Sequence, residues 1–152
     1  MNDEGDFSEH VPDDLKCDAC KLLAKKLTEK FDYIHKRRPS VRRLKESDIL
    51  TVTEAVCNGP FDDYGVKEVN KVMRLSGPGL ETNGLPGVTQ SGGKWPHRLL
   101  KMCNGYLGEL DEIEIYEKYK KYGTLETYMC YGSGVRGECS RTKNFTKGRH
   151  EL

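Results

Sequence analysis

Asp14-Leu-Lys-Cys17-Asp-Ala-Cys20-Lys-Leu-Leu23-Ala-Lys-Lys-Leu27-Thr-Glu-Lys-Phe31-Asp-Tyr-Ile34 is the stretch that decides the fold of this chain. Cys17, Cys20, Leu23, Leu27, Phe31 and Ile34 recur at spacings of three and four, which draws one apolar stripe on a helix from Asp14 to about Arg38. Pro39 ends that helix, since its ring cannot continue the hydrogen-bond ladder. Two cysteines on the inward face of a first helix announce a fold tied together covalently.

Working outward, Ser47 to Cys57 predicts a second helix: Ser47 or Asp48 can cap it, Ile49, Val52 and Val56 share a face, and Asn58-Gly59-Pro60 stops it. A third starts near Pro96, with Leu99, Leu100, Cys103, Leu107 and Leu110 facing inward. A fourth starts near Asp111 and carries Ile115, Tyr116, Tyr119 and Tyr122 until Gly123, a stripe that reads as packing at the edge of the core; a short turn from Leu125 to Cys130 follows. Between the second and third helices the pattern is ambiguous. Val66, Val69, Val72 and Leu75 recur every third residue, yet their β-branched character suits a strand equally. From Gly77 to Gly93 six glycines and two prolines fall within 17 residues, which predicts a long loop without regular structure. The chain thus reads as mainly α, a disulfide-stapled bundle of four to five helices with a long Gly/Pro-rich insert at about 61–95, an acidic N-terminus at 1–13, one domain at 14–139 and a polar tail at 140–152.

Only 36% of the residues are hydrophobic and 32% are charged, so the buried core is modest and covalent restraint has work to do. The 25 basic and 24 acidic side chains nearly cancel, which leaves no global field to draw in nucleic acid. The charge is nonetheless unevenly placed: the first 18 residues hold seven acids against one base, whereas Lys36 to Lys45 holds six bases and no acid. No stretch approaches the roughly 18 apolar residues of a membrane span. Residues 1–16 lack the basic start and apolar centre of a signal peptide, so entry to the secretory pathway would require a leader already removed.

Six cysteines allow many pairings, and geometry narrows them. Cys17 and Cys20 face one way on the first helix while Cys130 and Cys139 lie together near the C-terminal end, which suggests two bridges between these pairs; Cys57 and Cys103 would form a third. The rival reading of Cys17-Asp-Ala-Cys20 is a thioredoxin-type redox motif, but Asp18 inside it and Asp13 and Asp14 before it favour the thiol over the reactive thiolate. A zinc site fits poorly, because Cys130 and Cys139 are nine apart and the four histidines are scattered; no metal or cofactor is expected. The chain ends Arg149-His150-Glu151-Leu152, similar to receptor-read retrieval signals of the endoplasmic reticulum, and that address agrees with a cysteine set suited to an oxidising compartment. Asn144-Phe-Thr146 matches a glycosylation acceptor. Within the insert, Tyr64, Val66, Val69, Leu80, Leu85 and Trp95 are the candidate partner-binding residues, since an ordered glycine-rich loop of this length is expected to serve a purpose beyond the core.

Cys17-Asp-Ala-Cys20, Asp63-Tyr-Gly-Val-Lys-Glu-Val69, Arg74-Leu-Ser-Gly-Pro-Gly-Leu80, Gly93-Lys-Trp-Pro-His-Arg-Leu99, Cys103, Tyr106-Leu-Gly-Glu109 and Ile115-Tyr-Glu117 together resemble the marginal zone B-cell-specific protein family, plasma-cell proteins of the endoplasmic reticulum related to the canopy family. The resemblance runs in register from about Val11 to Cys139 and departs from the mammalian members in the last four residues and at Asn144. It implies a saposin-like pattern of bridges, Cys17 with Cys139, Cys20 with Cys130 and Cys57 with Cys103. It also implies a co-chaperone or adaptor beside endoplasmin, the lumenal Hsp90, with immunoglobulin chains as clients, integrins as further clients, and an effect on calcium stores. A retrieval receptor would read the tail. Two other functions stay open on these residues: thiol-disulfide exchange at Cys17 and Cys20, and lipid binding of the saposin kind.

Overall fold

A computed structural model describes residues 13–91, 93–131 and 138–141. Among them the elements follow in the order α1 (Asp13–Arg37), α2 (Glu46–Cys57), a hairpin of β1 (Gly65–Val69) and β2 (Val72–Ser76), a 3-10 turn (Glu81–Gly84), β3 (Gln90–Ser91), α3 (Trp95–Leu110), α4 (Glu112–Tyr122), a π-type turn (Thr127–Tyr131) and α5 (Glu138–Arg141). The chain is mainly helical, as its periodicity predicts. Helix α1 buries Leu15, Leu22, Leu23, Leu27 and Phe31 and packs against α2, β2, the π-type turn and α5, so the other elements are arranged around it. His35, Lys36 and Arg37 in its last turn complement the negative end of the helix dipole before Pro39.

Helix α2 starts one residue earlier than the pattern suggests. Its N-cap is Lys45, which makes no side-chain capping bond, so neither Ser47 nor Asp48 takes that role. Helix α3 opens with Pro96 in its first turn, where a missing N–H costs nothing. Asp111 ends α3 and caps α4, accepting from the Glu114 amide at 3.3 Å, and Gly123 closes α4 in the left-handed conformation with its N–H on the Tyr119 carbonyl at 2.7 Å. On α4, Ile115, Tyr116 and Tyr119 are buried; Tyr122, expected on the same stripe, is exposed in the final turn.

The ambiguous segment is a hairpin. Val69 pairs with Val72, and the two residues between them, Asn70 and Lys71, have φ of 54° and 67°, the two-residue turn whose twist suits paired strands. The sheet order is β2-β1-β3, with Gly65 opposite both Ser76 and Ser91. A Cβ on Gly65 would overlap the Gln90 carbonyl, which is why the strand begins with glycine. The Gly77–Gly93 stretch, expected to lack regular structure, contains the 3-10 turn and β3, and folds back over the hairpin.

Candidate functional site

The site most visible in the sequence is the first helix and what it holds. Cys17 bonds Cys139, Cys20 bonds Cys130, and Cys57 bonds Cys103, with Cα–Cα separations of 4.4, 5.8 and 5.3 Å. Each cysteine of the C-x-x-C pair therefore reaches a different distant partner, closing loops with sequence separations of 122 and 110 residues. No cysteine is left free. In this state neither Cys17 nor Cys20 can act as an attacking thiolate, and both are buried.

Asp18, between the two cysteines, does something the sequence reading missed. Its carboxylate is buried and accepts two hydrogen bonds from Arg74, from Nε at 2.8 Å and Nη2 at 2.9 Å, and a third from the Leu75 amide at 3.0 Å. One side chain thus pins β2 to α1. The hydrogen bond to Asp18 holds the Arg74 pKa above its ordinary value. Opposite Arg74 in the ladder stands Lys67, a direct like-charge pair that would weaken the hairpin if left unanswered. Each cation has its own acceptors. The buried Lys67 ammonium donates to the carbonyls of Thr82 at 2.8 Å, Asn83 at 3.4 Å and Leu85 at 2.8 Å, so it gathers the 3-10 turn onto the strand. Thr82 Oγ1 adds a bond to the Leu75 carbonyl at 2.7 Å. The only advance signal for Asp18 was a carboxylate on an apolar helix face; its partner lies 56 positions away and had none.

Of the six insert residues proposed to contact a partner, Tyr64 and Trp95 are core residues, each 4% exposed. The Tyr64 hydroxyl donates to the Pro78 carbonyl and its ring lies edge-on to Phe61. Both side chains are occupied by packing within the core. Val66 and Leu80 are partly buried against the core, Val69 is half-buried, and Leu85 is exposed, with Met73 and Val88 the exposed apolar neighbours that the sequence did not single out. Asn144 and the tail Arg149–Leu152 lie outside the described residues.

At the far end of α1 an aromatic cluster joins the helices. Phe31 meets Tyr116 edge-on at 5.2 Å, the Tyr116 hydroxyl accepts from the Leu44 amide and lies 2.9 Å from His35 Nε2, and the Tyr119 hydroxyl donates to Asp32 at 2.6 Å. A groove of about 550 Å³ runs between α1 and the Gly79–Thr82 segment, and four of its carboxylates are Asp18, Glu29, Asp32 and Glu81. The first three bond Arg74, Lys25 and Tyr119, Glu81 lies 4.0 Å from Arg74, and Glu126 completes the carboxylates of the lining. Among the described residues no cluster of His, Cys, Asp and Glu could hold a metal, and no helix is long and apolar enough to cross a membrane.

A helical bundle whose first helix is bridged to both C-terminal elements, and whose middle helices are bridged to each other, is a disulfide-stapled protein of the saposin-like class. Comparison with known proteins narrows this. The chain is 37% identical over 155 residues to the human marginal zone B- and B1-cell-specific protein, spanning 97% of this chain and 81% of that one. It is 38% identical over 148 residues to the Bos taurus protein of that name (92% and 77%) and 36% over 149 residues to the Mus musculus protein (93% and 78%). No protein-family profile matches. The chain belongs to the marginal zone B- and B1-cell-specific protein family.

Proposed function

We propose that this protein is a resident of the endoplasmic reticulum lumen that acts as a co-chaperone or adaptor beside endoplasmin in the assembly and secretion of immunoglobulin, with integrins as further clients. The observation that carries this reading is the engagement of all six cysteines in three bridges within a member of this family, which leaves no free thiol for exchange and so favours an adaptor over an oxidoreductase. Three disulfides suit an oxidising compartment, and the Arg149-His150-Glu151-Leu152 ending suits retrieval to it by a receptor. The relatives are named for marginal zone B and B1 cells, which fits immunoglobulin chains as clients. Thiol-disulfide exchange would require the Cys17 or Cys20 bridge to open first. Lipid binding would require an apolar face, and the apolar stripe of α1 is spent on the core.

The test is affinity capture from antibody-secreting cells with the C-terminal tail intact. Endoplasmin and immunoglobulin chains should be retained together; recovery of neither contradicts the proposal. Removal of the last four residues should release the protein into the medium with its fold unchanged, and equal retention of both forms would show that the address lies elsewhere.

A further inference from the structure

On α1, Lys26, Lys30, Tyr33 and Arg37 follow at spacings of four, three and four, which sets them in one row along the helix. Lys26, Lys30 and Tyr33 of this row face the C-terminal end of α2, and Arg37 reaches the groove through Tyr33. Between them lies a groove of about 290 Å³, lined by Lys26, Lys30 and Tyr33 on one side and Ala55, Val56 and Gly59 on the other. Tyr33 is 50% exposed, unusual for a large aromatic side chain in a chain with so small a core. Its ring is held by cations: the Lys30 ammonium and the Arg37 guanidinium each lie 5.5 Å from its centroid, and Arg37 also donates to its hydroxyl at 3.2 Å. Lys26 sits 5.4 Å over the buried Tyr64 ring, so it too is positioned rather than loose.

The field here is positive. Glu29, the one carboxylate in the groove lining, is paired with Lys25 at 3.0 Å. Beyond Arg37 the chain runs through the six bases of Lys36–Lys45. Arg38 is paired with Asp48 and Arg43 with Glu117, while Lys36, Arg42 and Lys45 have no carboxylate partner among the described residues. A basic helix face by itself is a solvated face. What sets this one apart is an exposed tyrosine flanked by two cations and a basic row converging on an apolar-floored groove. Tyrosine and arginine are the residue types that dominate binding hot spots, and side chains already held in place lose little entropy when a partner arrives.

We propose that this groove docks an acidic segment of a partner protein, one that presents a single apolar or aromatic side chain between carboxylates. The apolar side chain enters between Tyr33 and Val56, and the flanking carboxylates meet Lys26, Lys30 and Arg37. This rests on the adaptor reading and names the surface through which it would work.

The experiment is fluorescence anisotropy of the full chain with a short labelled peptide of glutamates and aspartates around one central tyrosine. Binding should weaken about tenfold with Tyr33→Ala, the scale of one modest hot spot, and at least as much with Arg37→Glu. It should hold with Lys71→Glu on the hairpin turn, which makes the same charge change away from the groove. All three positions are exposed, so melting temperatures should stay close to that of the parent chain. Undiminished binding by Tyr33→Ala, or equal loss in Lys71→Glu, would reduce the effect to diffuse charge and overturn the groove. Retention of the parent chain on anionic lipid vesicles with no peptide binding would overturn it as well. Capture of clients in cells separates the two levels: capture without peptide binding removes the groove and leaves the adaptor, whereas absence of capture removes the adaptor.

Discussion

Replacing Asp18 with asparagine keeps the volume between Cys17 and Ala19 but withdraws the charge that Arg74 and the Leu75 amide share. Arg74 keeps 27% of its side chain in water, so the loss should fall below that of a fully buried pair, roughly 2 kcal/mol. A denaturant titration reads this as a lower midpoint with the slope unchanged; an unaltered midpoint contradicts the role given to Asp18. The tyrosines make a second test at this scale. Burial, then the hydrogen bond to Glu114, raises Tyr128 to about 12, and burial with the bond to Asp32 raises Tyr119 in the same direction. A group whose proton is held more tightly in the folded state contributes its full stability below the unfolded pKa, near 10.0, and loses it as pH rises through the folded value. Ultraviolet titration of the eight tyrosines should therefore show a late class, reduced in Tyr128→Phe, and ionisation of all of them together near pH 10 would refute it. At this scale the sequence disclosed the cysteines, whose chemistry needs few neighbours to interpret. It hid Asp18, whose meaning is fixed by a strand far along the chain.

The helices were legible because an apolar spacing of three and four has one structural reading over that length, and Pro39, Asn58-Gly59-Pro60 and Gly123 mark their ends. The hairpin was not, because Val66, Val69, Val72 and Leu75 fit either period; Asn70, tolerant of positive φ, was the one local clue. Nor could glycine content reveal the 3-10 turn at Glu81–Gly84, since its organiser is Lys67, which precedes the carbonyls it holds by 15 to 18 positions. That dependence can be tested. Lys67→Met fills the same space but leaves three carbonyls without their donor, which should cost roughly 2 to 3 kcal/mol. Hydrogen exchange should rise at the amides of Asn83 and Leu85, which bond within this turn, while α1 and α3 keep their protection. Unchanged exchange there would mean that the turn stands without the lysine. The same packing places Tyr64 and Trp95 in the core, whereas Leu85, Val88 and Tyr33 are exposed.

Across the whole molecule, α1 is the element to which both C-terminal elements are tied covalently, through Cys17 and Cys20, and to which β2 is tied electrostatically, through Asp18. Closing a loop of about a hundred residues removes on the order of 4 to 5 kcal/mol of unfolded-chain entropy in the chain-entropy model, which is substantial for a chain only 36% hydrophobic. Nested bridges share part of that loop, so their effects add to less than the sum. The sequence could show that the ends of the chain are bridged; which cysteine met which came only with the resemblance, because Cys17 and Cys20 lie on one face. These bridges also carry the functional argument, since a C-x-x-C pair committed to two distant partners cannot cycle as a redox couple without releasing the fold it holds. The most direct test of that claim is disulfide mapping of the native protein by mass spectrometry after alkylation without reduction. The account predicts an intact mass six hydrogens below the thiol form, no alkylated cysteine, and linked peptides joining Cys17 to Cys139, Cys20 to Cys130 and Cys57 to Cys103. Alkylation of Cys17 or Cys20 in the folded protein, or a peptide linking those two to each other, would contradict it.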